Sequence, residues 1–153
     1  MSLIVQKFGG TSVANTERLK NVADIVTSTA KAGNQVVVVV SAQGDTTDEL
    51  IEKAREINPG ASTREMDMLL STGEQISVAL CAMAVEALGF PVVSLTGWQA
   101  GVVTNTVSMN ARIKKVDTER IEAELDARRI VIVTGFQGIN RYDDIQDGKI
   151  RYD

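Results

Sequence analysis

The chain has 153 residues, 44% hydrophobic and 24% charged, with a net charge of −4, one cysteine and no histidine. That length suits one domain able to bury roughly two-thirds of its unfolded surface. Without histidine the chain alone can form no Ser-His-Asp triad, Cys-His pair, imidazole base or His metal site, and an acidic chain with no basic run offers no face to nucleic acid.

No apolar run approaches the length of a membrane span, and the N-terminus lacks a signal peptide's basic region and long apolar stretch. No membrane partner is expected, and the default setting is cytoplasmic. Cys81 lies among Val78, Ala79, Leu80 and Met83 and reads as a buried structural thiol.

In chain order, residues 3–7 read as a buried strand. Asn15 can cap a helix running to about Ala32, with Leu19, Val22, Ala23, Val26 and Ala30 on one face and Gly33 ending it. Gln35 to Ser41 holds five consecutive valines, the pattern of a parallel strand buried on both faces. A polar loop, Ala42 to Thr47, opens into a short helix through Ile57 that Asn58-Pro59-Gly60 breaks. Ser62 and Glu65 have capping-box spacing and begin another helical segment. Ser71-Thr72-Gly73-Glu74 is expected to interrupt it. Gln75 to Leu88 then resumes, with Ile76, Leu80, Met83, Ala84 and Leu88 inward and Gly89 as the stop. Val92 to Leu95 is a third strand, Thr96 to Met109 a weak hairpin, Asp117 to Arg129 a charged helix, and Ile130 to Thr134 a further buried strand. Gly135 to Asp153 reads as turns and a hairpin. Strands alternating with helices predict an α/β fold with right-handed crossovers.

Each strand of such a sheet ends in a polar loop: Lys7-Phe8-Gly9-Gly10, Ser41-Ala42-Gln43-Gly44, Thr96-Gly97 and Thr134-Gly135. Ligands of open parallel sheets bind outside the carboxyl ends of the strands, so the four loops are expected to share one site. In the first loop, glycines permit φ > 0 and close backbone approach, the following helix start adds its dipole, and Lys7 adds a full charge. That combination suits a phosphate, although a Gly-Gly turn can also be no more than a tight connection. Neither a P-loop nor a dinucleotide-binding glycine pattern occurs. Ser41, Thr46 and Thr47 could hold carboxylate or phosphate oxygens, or only cap a helix. Glu74 is either a solvated helix start or the partner of a bound ammonium. Asp143, Asp144 and Asp147 before Gly148 read as a solvated turn, since Ile145 stands where a calcium loop needs an oxygen.

Taken together, Lys7-Phe8-Gly9-Gly10-Thr11-Ser12-Val13, Val39-Val40-Ser41-Ala42 with Thr46-Thr47-Asp48, and Leu70-Ser71-Thr72-Gly73-Glu74-Gln75 resemble the ordered signatures of aspartate kinases within the amino acid kinase family. The likeness continues through Gln99-Ala100-Gly101 and Val133-Thr134-Gly135-Phe136-Gln137-Gly138. It implies a three-layer αβα sandwich with a mainly parallel sheet. It also implies transfer of the γ-phosphoryl of ATP, with Mg2+, to the side-chain carboxylate of L-aspartate, the first step of lysine, threonine and methionine biosynthesis. By this resemblance Lys7 is the catalytic cation against the transferred phosphoryl and Phe8, Gly9 and Gly10 complete its cradle. Ser41, Thr47 and Glu74 match positions that hold the amino acid.

The family's Gly-Arg-Gly-Gly-Ser-Asp motif, whose arginine is expected to clamp a substrate carboxylate, would follow where this chain stops at Lys149-Ile150-Arg151-Tyr152-Asp153. Residues 1–153 are therefore expected to form the amino-acid-binding N-terminal lobe, without the ATP-binding lobe and the regulatory ACT domains. An open sheet edge and uncovered apolar faces then predict self-association or pairing with a kinase subunit. Two other readings stay open: a different amino acid kinase, or a non-catalytic module that binds an acidic amino acid.

Overall fold

The computed structural model describes residues 1–109 and 111–147. The expected end of the final hairpin and the last five residues, Lys149 to Asp153, lie outside the described residues.

Four strands form a parallel sheet in the order β1-β2-β6-β3: β1 (Leu3–Phe8), β2 (Gln35–Val40), β6 (Ile130–Thr134) and β3 (Val92–Leu95). The valine run of β2 is central, and Val36, Val37, Val38 and Val40 are buried from both sides. Fully burying such a side chain stabilises by about 1.5–3 kcal/mol. Two helices cover one face. Helix α1 (Thr16–Lys31) is capped by Asn15, whose side chain accepts from the Arg18 N–H at 2.9 Å, and α3 (Thr63–Ala87) packs beside it. Their shared core joins Leu19, Val22 and Val26 to Val36, Val38, Val40, Cys81, Val85 and Ile132. On the other face α4 (Glu119–Asp126) packs Leu125 against Val37, Val131, Val133 and Leu95. The result is the expected three-layer αβα arrangement. Helix α2 (Thr46–Ile57) lies against α3. A smaller sheet, β5-β4-β7-β8, contains β4 (Val102–Thr104), β5 (Ile113–Val116), β7 (Gly138–Ile139) and β8 (Ile145–Gln146).

Four expectations are corrected. Strand β1 is an edge strand, not a buried one, and Leu3 and Val5 are 54% and 63% exposed. Helix α3 is continuous for 25 residues, and Gly73 does not break it. A Cβ at Gly73 would stand 3.1 Å from the Ala42 Cβ, so the glycine there serves close packing of helix on loop. The inward face of α3 is Val78, Cys81, Ala82 and Val85, whereas Ile76, Leu80, Met83 and Leu88 are exposed and Ala84 is half-buried. The stripe at 76, 80 and 83 is periodic but points away from the sheet. The charged helix α4 is shorter than Asp117 to Arg129 because Asp117 accepts from the Glu119 N–H and Arg128 turns to φ +63°.

Helix α3 also qualifies the expectation about membrane-length segments, being long and apolar enough to cross a bilayer by composition. Half of that stretch is buried in the fold, and the segment carries the buried carboxyls Asp67 and Glu74. It is the core helix of the domain.

Candidate functional site

Parallel register brings the strand ends together. Phe8 pairs with Val40, Val40 with Thr134, and Leu95 with Val133, so all four polar loops leave the same edge. Backbone bonds then stitch the loops: Ser41 N–H to the Phe8 carbonyl at 3.2 Å, Gly44 N–H to Gly10 at 2.9 Å and Gly135 N–H to Val40 at 2.9 Å. Between them lies a cavity of about 290 Å³ lined by Gly10, Ser41, Thr47, Glu74, Phe136 and Asp147 among others. Four residues expected at the site, Gly10, Ser41, Thr47 and Glu74, thus share one cavity.

The remaining expected residues differ in their roles. Lys7 is exposed and does not line the cavity; its Nζ lies 5.2 Å from the ring centroid of Phe136, which does. The Phe8 side chain packs into the α1/α3 core, which leaves only its backbone toward the loop. Gly9 has φ −77°, so positive φ is not why glycine stands there. A Cβ on Gly9 would meet nothing within 4 Å, whereas one on Gly10 would come 2.8 Å from the Ala42 carbonyl oxygen. Gly10 is required by close approach, and Gly9 leaves open space beside the loop. The expected helix dipole is also absent from this position. A four-residue 3-10 turn (Gly10–Val13) follows the loop, and α1 starts only at Thr16, beside a different groove.

Glu74 is 5% exposed and on the inner face of α3. Burial pushes its carboxyl above the ordinary range, opposed by hydrogen bonds from its own backbone N–H, from Asp147 and from Gln137. The reading of Glu74 as a solvated helix start is therefore excluded. Gln137 Nε2 donates to Glu74 Oε2 at 3.2 Å and to the Ser71 carbonyl at 2.8 Å. Nearby, Asp67 is wholly buried and accepts from the Met109 N–H at 3.1 Å, from the Asp147 backbone and from Ser108. Its carboxyl is also raised by burial. Asp67 ties β8 and the loop before β5 onto α3.

Asp147 and Phe136, which line this cavity, and Gln137, which is hydrogen-bonded to Glu74, escape sequence reasoning. Asp147 belongs to a segment read as a solvated turn; that holds for exposed Asp143, but Asp147 is buried against Glu74. Asp144 instead pairs with Arg64 at 2.8 Å on the surface. Phe136 and Gln137 stand in a motif noted for its likeness and given no task. The available signal was local: a large aromatic beside a glycine turn at the end of a buried strand.

Among the described residues, no group of three or more acidic or cysteine side chains could hold a metal ion. A second, larger groove of about 820 Å³ runs between α1 and α3, lined by Leu19, Leu80, Met83 and Leu88 among others. It contains none of the expected site residues.

A parallel sheet with its glycine loop, hydroxyls and buried carboxylate at one edge matches a known class. The sequence model of the amino acid kinase family covers residues 2–150, and the chain belongs to that family. Within it, the aspartokinases of Geobacillus stearothermophilus and Bacillus sp. (strain MGA3) are 56% and 54% identical over 145 residues, 95% of this chain. The aspartokinase of Corynebacterium glutamicum is 55% identical over 141 residues. The chain spans 34–36% of the length of these relatives. The crystal structure of aspartate kinase from Synechocystis superposes with a TM-score of 0.78 at 42% identity, over 94% of this chain and 23% of that one. E. coli aspartokinase III in complex with aspartate and ADP shares the fold, with a TM-score of 0.75 at 22% identity over 96% of this chain and 43% of that one.

Proposed function

We propose that residues 1–153 form the amino-acid-binding lobe of an aspartate kinase, which transfers the γ-phosphoryl of ATP to the side-chain carboxylate of L-aspartate. The observation that carries this reading is the single cavity joining Gly10, Ser41, Thr47 and buried Glu74, with Lys7 over the Phe136 ring that lines it. Likeness to aspartokinases over most of the chain supports the choice of substrate.

The chemistry needs no histidine. The β-carboxylate of aspartate is ionised at neutral pH, so no general base is required. What remains is in-line positioning and neutralisation of charge on the phosphoryl oxygens. Lys7 would offset that charge, and the open space beside Gly9 would admit phosphate oxygens to the backbone. Ser41 and Thr47 would donate hydroxyls to substrate oxygens. Glu74 would pair with the α-ammonium, the one cation that aspartate brings. ATP would supply the phosphoryl group, with Mg2+ arriving on its phosphates, which suits an ion that keeps few protein ligands. The same reading implies a cytoplasmic biosynthetic enzyme. It also includes self-association or pairing with a kinase subunit, supported by exposed Leu3 and Val5 on β1 and by exposed Leu80 and Met83 on α3.

The test is aspartyl-hydroxamate formation by the chain with Mg-ATP, L-aspartate and hydroxylamine, beside calorimetry with L-aspartate alone. Turnover abolished in Lys7→Ala supports a complete kinase site. Binding without turnover supports the amino-acid-binding lobe. No heat and no turnover would refute both.

A further inference from the structure

We propose that Gln137 is a positioning residue: its amide holds the Glu74 carboxylate toward the cavity and so sets the preference for a free, unsubstituted ammonium group. This rests on the aspartate reading of the cavity, and it assigns to β7's preceding turn a task beyond chain reversal.

The side-chain amide of Gln137 is fully engaged. Its Oε1 accepts from Thr134 Oγ1 at 2.8 Å, and its Nε2 donates to the Ser71 carbonyl at 2.8 Å and to Glu74 Oε2 at 3.2 Å. These contacts fix which way the amide faces. Flipped, its oxygen would meet a carbonyl and a carboxylate, acceptors against acceptor. Ser71 and Glu74 are three residues apart on one helix, hence on one face, so a single NH₂ group spans both. The backbone of Gln137 is held from the opposite side by Gly97, where a Cβ would lie 2.1 Å from the Gln137 carbonyl oxygen. Thr134 is the last residue of β6, so the brace runs from the central sheet through Gln137 to α3.

Packing alone does not account for this residue. An apolar side chain of equal length would fill the space but leave the buried Thr134 hydroxyl and Glu74 Oε2 without this partner. A donor aimed at a buried carboxylate matters when that carboxylate must carry charge. Burial discourages ionisation of Glu74, and the hydrogen bonds that oppose it come from its own backbone N–H, from Asp147 and from Gln137. Among the described residues the cavity lining carries no lysine or arginine, and Lys7 lies over the Phe136 ring that lines it. Gln137 is the neutral donor on the sheet side that favours the charged form.

The experiment is calorimetry of L-aspartate and N-acetyl-L-aspartate against wild type, Gln137→Met, Thr134→Val and Glu74→Gln, repeated across the pH range in which carboxyls titrate. In Gln137→Met, aspartate affinity is expected to fall about tenfold or more, as for a lost hydrogen bond to a charged group. The pH at which affinity is half-developed moves upward, and discrimination against N-acetyl-L-aspartate narrows. Thr134→Val, an isosteric change that frees the amide without removing it, moves the same quantities less far. That variant decides the matter if Gln137→Met does not fold. Equal weakening at every pH, with the midpoint unmoved, would overturn the proposal and leave Gln137 as packing. Wild type that binds no aspartate would instead defeat the reading of the cavity itself.

Discussion

The ammonium of Lys7 rests 5.2 Å from the centre of the Phe136 ring, which lines the cavity, joining the first strand to the turn after the sixth. Phe136 holds φ +59°, a region that costs a residue with a side chain about 1–2 kcal/mol. The turn tolerates that cost because its neighbours, Gly135 and Gln137, are tied by hydrogen bonds to Val40, Thr134 and α3. Removing the ring should loosen Lys7 without unfolding the domain. Phe136→Leu is expected to weaken pyrophosphate binding about two- to fivefold, the worth of an exposed cation–π contact. Lys7→Ala should lower kinase turnover by several powers of ten, each about 1.4 kcal/mol. Near-normal turnover in Lys7→Ala would remove it from the mechanism.

The two loop glycines should separate cleanly. Gly10→Ala drives a Cβ into the Ala42 carbonyl and strains the Gly44–Gly10 backbone bond, so a loss of about 1–3 kcal/mol is expected. Gly9→Ala meets no atom and keeps an allowed backbone, so its melting temperature should match wild type. It should nonetheless bind pyrophosphate more weakly, because the methyl occupies the space left for phosphate. Melting curves and anion titration of both variants decide this.

Stability and ligand binding should depend on pH with opposite signs. Burial holds the Glu74 carboxyl above its ordinary value, so the native protein binds that proton more tightly than the unfolded chain. The associated stability is complete below the ordinary carboxyl value, about 4, and is lost as pH rises through the raised native value. Relative to Glu74→Gln, wild type should therefore lose melting temperature as pH climbs through that window. Aspartate affinity should climb over the same window, since the ammonium needs the ionised carboxylate. Proton release on binding, measured in buffers of different ionisation enthalpy, would follow. A pH-independent difference between wild type and Glu74→Gln would contradict the assignment.

Cys81 should be silent in the native state. It is fully buried in the α1/α3 core, and burial pushes its thiol up to about 11. Thiol reagents should modify it only on global unfolding, so alkylation and circular dichroism should report the same denaturant midpoint. Rapid labelling of folded protein would contradict the packing described.

Exposed apolar groups on two faces should make the chain associate. Sedimentation velocity is expected to show species larger than the monomer, and Met83→Glu or Val5→Lys should shift them back according to which face is used. A clean monomer for wild type, with a sharp, high melting transition, would argue against this.

Much of the site was legible in the chain because its signals are local. A strand of valines, glycines after Lys7, and hydroxyls at strand ends are each properties of a few adjacent residues. Parallel register then forces those ends onto one edge. The helices were harder. Ile76, Leu80 and Met83 have the spacing of a core face, yet so do Val78, Cys81 and Val85, and spacing cannot choose between two apolar stripes on one helix. Glycine lowers helix propensity by about 1 kcal/mol, a local preference at Gly73 that packing against Ala42 and Thr46 outweighs.

What the sequence by itself determined is therefore the four strands of the parallel sheet and their polar ends, with Gly10, Ser41, Thr47 and Glu74 singled out by resemblance. Only the tertiary structure decided that Asp147 lies against Glu74, that Gln137 braces it, and that Lys7 lies over Phe136. Those contacts join residues 63, 73 and 129 positions apart. Their partners come together only once the sheet and α3 have packed, because burial, and not neighbourhood in the chain, leaves each polar group few others to bind.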